Sequence, residues 1–192
     1  MFPALILIFA SIAYRLAYAF SGAHADWANF SPLAAIVFCS AAFFTRKAAL
    51  LIPLAAILVS DILLNAHYHA SLFDTGIPSR YFSFWLIALL GFFVKSKQNH
   101  KLIYLFSASV IGSFIFYVLT NTDAWLMLPG YSKTLSGWIQ ALTVGEPGYP
   151  PTYLFLRNTV LSDLLFTTLF VATQSLFVKT NITLPAKARL SH

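Results

Sequence analysis

Long apolar runs, each broken by a few polar residues, follow one another along the chain at the scale of a membrane-spanning helix. A hydrocarbon core about 30 Å thick takes roughly 20 apolar residues in a helix, and six runs approach that length. The first is Phe2 to Phe20, interrupted by Arg15, and the second is the short run Phe30 to Phe44. The third is Ala48 to Leu64, with Pro53 near its start and Asp61 near its end, and the fourth is Tyr81 to Val94. Leu102 to Thr120 and Tyr153 to Val178 are the fifth and sixth. Interfacial residues or local thinning of the bilayer complete the short ones. The pattern predicts an all-α membrane protein, a compact bundle of about six transmembrane helices forming one domain over residues 1–192.

One connection is long. Residues 121–151 carry Trp125, Tyr131, Trp138 and Tyr149, four glycines, and Pro147, Pro150 and Pro151 just before the last span. Leu135 to Thr143 reads as a short interfacial helix, with Trp138 at the water boundary. The segment is expected to form either a cap over the helix ends or a lid over a cavity.

Composition agrees with lipid as the solvent. The 192 residues are 59% hydrophobic and 9% charged, where a soluble domain carries roughly 25% charge to face water. The mean hydropathy is +0.76, which also excludes intrinsic disorder. The single cysteine, Cys39, has no intramolecular disulfide partner and says nothing of compartment. The net charge of +6 does not point to nucleic acid, because the basic residues are dispersed at span ends rather than gathered in one patch.

Those basic residues orient the bundle. With Met1 inside, the inner segments hold Arg46, Lys47, Lys95, Lys97, Lys101, Lys179, Lys187 and Arg189, and the outer segments hold Arg80 and Lys133. This bias predicts both termini in the cytoplasm. Asp26, Asp74, Asp123 and Glu146 fall in or beside outer segments, which agrees. A cleaved signal peptide is disfavoured, since no basic region precedes the first run and Arg15 breaks it. An echo links Val59-Ser60-Asp61-Ile62-Leu63-Leu64 to Leu161-Ser162-Asp163-Leu164-Leu165-Phe166. It reads as coincidence more readily than as a trace of related halves.

Four charges lie within the runs: Arg15, Asp61, Arg157 and Asp163. Charges inside a bilayer are costly and usually face a bundle interior or a water-filled cavity. From the helical rise, Arg15 and Asp61 fall in the outer thirds of their spans, Arg157 lies roughly 8 Å below the outer surface, and Asp163 is near the middle. Thr159, Asp163, Thr167 and Gln174 share one face of the last span. Ser109, Ser113, Tyr117 and Asn121 make a stripe down the fifth, and Asp61 and Asn65 share a face of the third. A cavity open to the outside and closed toward the cytoplasm would satisfy these faces. The alternative stays open that two arginines and two aspartates form ion pairs that only fix packing.

His67 and His69 form an H-x-H pair after the third span, with Asp74 beyond. Imidazole and carboxylate suit transition metals, yet two ligands in a loop make a weak metal site. No metalloprotease, nucleophile-elbow, Walker A or C-x-x-C motif is present. The chain is therefore expected not to be an enzyme and to carry no cofactor.

Several short patterns are similar to an uncharacterised bacterial family of small membrane proteins associated with transport. They are Asn29-Phe30-Ser31-Pro32-Leu33-Ala34-Ala35, then Ile52-Pro53-Leu54 with Ser60-Asp61. Tyr131-Ser132-Lys133-Thr134, Gly137 and Pro150 follow, then Phe155-Leu156-Arg157-Asn158-Thr159 with Asp163. The family in turn resembles the substrate-binding S components of energy-coupling-factor (ECF) vitamin transporters. The resemblance covers about residues 5 to 178. It implies a multi-pass protein of the bacterial inner (plasma) membrane that binds a small molecule from the outer side. A coupling membrane subunit and ATPases would be supplied by other chains. In S components the coupling subunit recognises small residues near the inner end of the first helix. Here Ala13 and Ala17 form one A-x-x-x-A, toward the outer end.

The sequence thus favours a substrate-binding subunit for small-molecule uptake. Asp61, Asn121, Arg157, Asn158 and Asp163 are expected to line the site, with Arg15, Asn29 and Trp125 nearby. Arg157 is the expected partner of a ligand carboxylate or phosphate. The second reading is an accessory subunit of a larger membrane complex, its charges used for packing alone.

Overall fold

The computed structural model describes residues 2–21, 27, 29–69, 71, 76–96 and 101–183. Among the described residues all regular structure is helical. In chain order it comprises α1 (Phe2–Phe20), α2 (Leu33–Phe43), α3 (Arg46–His67), α4 (Ile77–Lys95), α5 (Lys101–Met127), α6 (Leu135–Leu142) and α7 (Thr152–Thr183). Four helices are long and apolar enough to cross a membrane: α3, α4, Leu102–Met127 of α5 and Thr152–Leu176 of α7. The apolar stretches of α1 and α2 are shorter.

The long helices bury a narrow, small-residue face and expose large apolar ones. In α3, Ala49, Pro53, Ile57 and Ser60 point inward, while Leu51, Leu58, Val59 and Leu63 are exposed. In α4, Ser83, Phe84, Ile87, Ala88, Gly91 and Val94 face the bundle, and Phe82, Trp85, Leu89 and Phe93 face out. A soluble helix keeps its polar face for water; this exterior is apolar, as lipid contact requires, and small residues let the helices approach.

The hub is α2. Every residue from Leu33 to Ala42 is buried, and the helix touches α1, α3, α4, α5 and α7. Its closest approach is to α4 at Gly91, where a Cβ would sit 2.5 Å from the Phe38 carbonyl oxygen and 2.6 Å from the Ala41 Cβ. Only glycine lets the two backbones meet there. Phe38, Ile57, Phe84, Ile87 and Val94 fill the core around this contact. At the far end Lys95 Nζ donates to the Phe44 carbonyl, closing α2 against the end of α4.

The expected runs are present with shifted ends. The first coincides with α1, and the short interfacial helix appears as α6. The third, fourth, fifth and sixth are all longer, because polar residues at the water boundary end an apolar run without ending a helix. The second is shorter, α2 having only 11 residues. Asn121 and Trp125, expected in the long connection, stand on the last turns of α5. His67, expected in a loop, closes α3.

Candidate functional site

A cavity of about 230 Å³ lies at the end of the bundle where α1 and α3 finish and α2, α4 and α7 begin. Arg15, Tyr18 and Ala19 come from α1, Leu64 from α3, Arg80 and Phe84 from α4, Phe116 from α5 and Thr159 from α7. The floor is the entry to α2: Asn29, Phe30 and Ser31 of the connection, then Leu33 and Ala34. The α2 N-cap position is Pro32, whose side chain makes no cap. Asn29 adopts a positive φ of 63°, a left-handed turn that asparagine tolerates better than most residues. A second, more open hollow of about 330 Å³ shares Asn29, Arg80 and Phe116 with the first and continues past Thr120 and Asp123.

Arg15 is held from behind. Its Nη2 donates to Asp61 Oδ1 at 2.7 Å and its Nη1 donates to Ser60 Oγ. Both ends of this ion pair are largely withdrawn from solvent, at 15% and 13% exposure. The Tyr68 hydroxyl donates to the Ala19 carbonyl at 2.7 Å, and the Phe20 and His67 rings meet at 4.5 Å. These contacts lock the ends of α1 and α3 together and fix where Arg15 enters the cavity. On the other walls Phe84 stacks on Phe116 at 5.5 Å, and Phe30 meets Tyr14 and Trp27 edge-on.

Asp163 lies in a different setting. It is buried between α2, α5 and α7 and lines no open space: the gap beside it holds about 0 Å³. Its Oδ2 accepts from the Ser113 hydroxyl at 2.6 Å, and its Oδ1 accepts from the Ala35 backbone N–H at 3.0 Å. Ala35 is in the first turn of α2, where amide groups lack intrahelical partners. Asp163 therefore supplies from α7 the cap that Pro32 cannot. The network continues through Ser109 and Thr167, 3.2 Å apart, to Cys39, whose thiol lies 3.8 Å from Thr167. Around Ser109, Ser113, Asp163 and Thr167 the stripes on α5 and α7 thus close on each other, whereas Thr159 of the same α7 stripe lines the 230 Å³ cavity.

The other expected site residues scatter. Arg157 does not pair with Asp163. Its Nε and Nη2 donate to Asn158 Oδ1 at 3.1 and 3.0 Å, and its guanidinium lies 5.8 Å from the Trp27 ring centre. Asn158 is fully buried. Asn121 donates to the Tyr117 carbonyl of its own helix at 2.8 Å. Trp125 donates to the Ser132 carbonyl at 2.8 Å, and Lys133 returns bonds to the Trp125 and Leu128 carbonyls. Of the eight expected residues only Arg15 and Asn29 line the cavity, with Asp61 directly behind Arg15.

Arg80 also lines the cavity, although its place beside an apolar run reads as a loop charge; Gly76-Ile77-Pro78 is a helix start, with glycine at the cap and proline in the first turn. That signature puts Arg80 one turn inside α4. Tyr18, Phe84 and Phe116 carry no signal that separates a cavity wall from a packed core.

The connection packs against α5 and α7. Thr134 caps α6 by accepting from the Gly137 N–H at 3.3 Å, and a Cβ at Gly137 would collide with the Ser132 carbonyl. Trp138 donates to Thr122 at 2.9 Å, Tyr117 donates to the Leu142 carbonyl, and the Tyr153 N–H donates to the Thr143 carbonyl at 3.0 Å. Burial and the nearby Glu146 carboxylate push the Tyr131 phenol above its usual range. No lining residue of the 230 Å³ cavity comes from residues 121–151, so the segment does not wall that cavity. His67 packs on Phe20, and His69 follows in a turn with φ 52°. Among the described residues no three His, Cys, Asp or Glu side chains converge on a point; Asp74 lies outside the described residues.

Comparison with known proteins adds a family. Residues 1–186 match DUF6580, a family of unknown function. No curated protein and no solved structure matches the chain.

Proposed function

The chain belongs to the DUF6580 family, and we infer that it is the substrate-binding membrane subunit of a small-molecule uptake system, resembling the S components. The observation that carries this reading is the cavity at one end of the bundle, lined by Arg15 and Arg80 and floored by the start of α2. The loop charges put that end outside. Beneath it the bundle is closed by α2 and the Asp163 network. A pocket open on one side and sealed on the other suits capture from outside.

In this reading the chain crosses an inner membrane six times with both termini in the cytoplasm. α2 is about 16 Å long and relies on flanking residues and on its protein surroundings, since it meets neighbours on every side. Non-helical backbone such as Asn29–Pro32 is tolerated at membrane depth where it lines a cavity. Energy would come from a coupling membrane subunit and ATPases on other chains, because this sequence has no nucleotide motif.

Native mass spectrometry of gently purified protein tests the reading. A bound small molecule, lost in Arg80→Ala and retained in Arg157→Ala, supports it. An empty protein with no thermal shift across a broad metabolite panel overturns it.

A second reading has its own observation. Both embedded carboxylates have internal partners, Arg15 for Asp61 and the α2 amide for Asp163, as an accessory subunit of a larger complex would need for packing alone. Stoichiometric co-purification with an integral membrane partner, together with an empty cavity, would favour it.

A further inference from the structure

We propose that the 230 Å³ cavity takes a small monocarboxylate carrying a planar ring, its carboxylate on Arg15 and its ring among Phe30, Phe84 and Phe116. This rests on the small-molecule reading above and narrows it to a ligand class.

Size comes first. At about 30 Å³ per water, the cavity holds the equivalent of roughly eight waters. That admits one ring with one small substituent. Shape and polarity come next. Phe84 and Phe116 are already stacked, at 5.5 Å and 21°, and Phe30 is fixed edge-on against Trp27. Aromatic pairs favour offset or edge-on contact with ring centres 4.5–7 Å apart, so pre-set aromatic walls receive a flat ring without reordering. An apolar wall with polar groups at few points is the usual composition of a small-molecule site.

Charge decides the remaining group. Arg15 has five guanidinium donors, and the bonds to Ser60 and Asp61 come from its two terminal nitrogens and fix its plane. A planar fork held in one orientation matches a planar carboxylate better than a point charge does. Asp61 already answers much of the Arg15 charge, so a singly charged anion fits this apolar space better than a dianionic phosphate, which would lose more hydration. Asp61 is then a positioning residue acting through Arg15. The first turn of α2, at Leu33 and Ala34, adds a favourable dipole at the floor.

Benzoate is the probe. Thermal shift and isothermal titration on the detergent-purified full chain should show saturable benzoate binding. Benzamide, with the same shape and no charge, and butyrate, with charge and no ring, should each bind about tenfold more weakly or worse. Inorganic phosphate should give no shift. Arg80→Gln and Phe84→Leu should weaken benzoate, whereas Arg157→Gln should leave it unchanged. Because Arg15 also ties α1 to α3, Arg15→Lys, which keeps the charge and loses the fork, accompanies Arg15→Gln. Equal binding of benzoate and benzamide overturns the carboxylate, and equal binding of benzoate and butyrate overturns the ring. A co-purified ligand of another class, with no benzoate response, overturns this inference and spares the uptake reading. No co-purified ligand and no response to any probe overturns both.

Discussion

Asp61 and Asp163 stand in nearly the same local sequence, each after a serine and before three large apolar residues, and their surroundings are opposite. Asp61 faces a cation on α1 beside an open cavity. Asp163 faces a hydroxyl and a backbone amide, with no space beside it. The serines differ too: Ser60 donates to the Ile57 carbonyl and accepts from Arg15, while the buried Ser162 hydroxyl has no partner among the described residues. The helix each residue packs against decides which carboxylate builds a site and which seals the bundle.

The contrast predicts an order of effects. Asp163→Ala should be the most damaging, costing about 2–3 kcal/mol, because it strands the Ala35 N–H in a dry interior and leaves the Ser113 hydroxyl only the more distant Ser109 carbonyl. Asp163→Asn, which keeps an acceptor, should cost distinctly less. Thermal or denaturant unfolding in detergent measures both. If Asp163→Ala were milder than Asp61→Ala, the division into seal and site would fail.

Gly91→Ala comes next, at about 1–3 kcal/mol, since the new methyl must push α2 from α4. A matched substitution at Gly112, where a Cβ would find only Ile87 at 3.5 Å, should be nearly neutral. Comparable losses at the two glycines would mean that the α2–α4 contact is not the tight one. For the ion pair, a double-mutant cycle on Arg15 and Asp61 should return a coupling of about 1 kcal/mol. Zero coupling would remove Asp61 from its positioning role.

Arg157→Ala should cost about 1 kcal/mol, since it gives up the Trp27 contact and the two hydrogen bonds to the buried Asn158 Oδ1. Fluorescence of Trp27 should report the loss of that contact even where unfolding does not.

How much of this was legible in the sequence follows from what hydropathy measures. It found α1 and α6 within a residue, and it found the long helices but cut them short at Arg46, Arg80 and Asn121, where the helix continues through polar residues. It could not find that α2 is a buried hub. Apolar residues facing protein and apolar residues facing lipid look alike in a window, and only the shortness of the Phe30–Phe44 run hinted at it. The site was half legible. Arg15 and Asn29 stood out as polar residues in or beside apolar runs. The stripes on α5 and α7 also stood out, but a sequence does not say whether two polar faces meet a ligand or each other; here Ser113 meets Asp163. Arg80 was hidden by its place at a helix start.

The cap on α2 also sets an order of assembly. Asp163 lies 128 residues beyond the amide it serves. At about 5–20 residues per second, a ribosome delivers it roughly 6–25 s later. Until then the first turn of α2 sits in or near the membrane with an unanswered N–H, and α2 lacks the α4, α5 and α7 surfaces that will enclose it. A nascent chain stalled before α7 should therefore hold α2 loosely, open to proteases and quality-control factors, and release of the last helix would be the step that commits the hub to its final place.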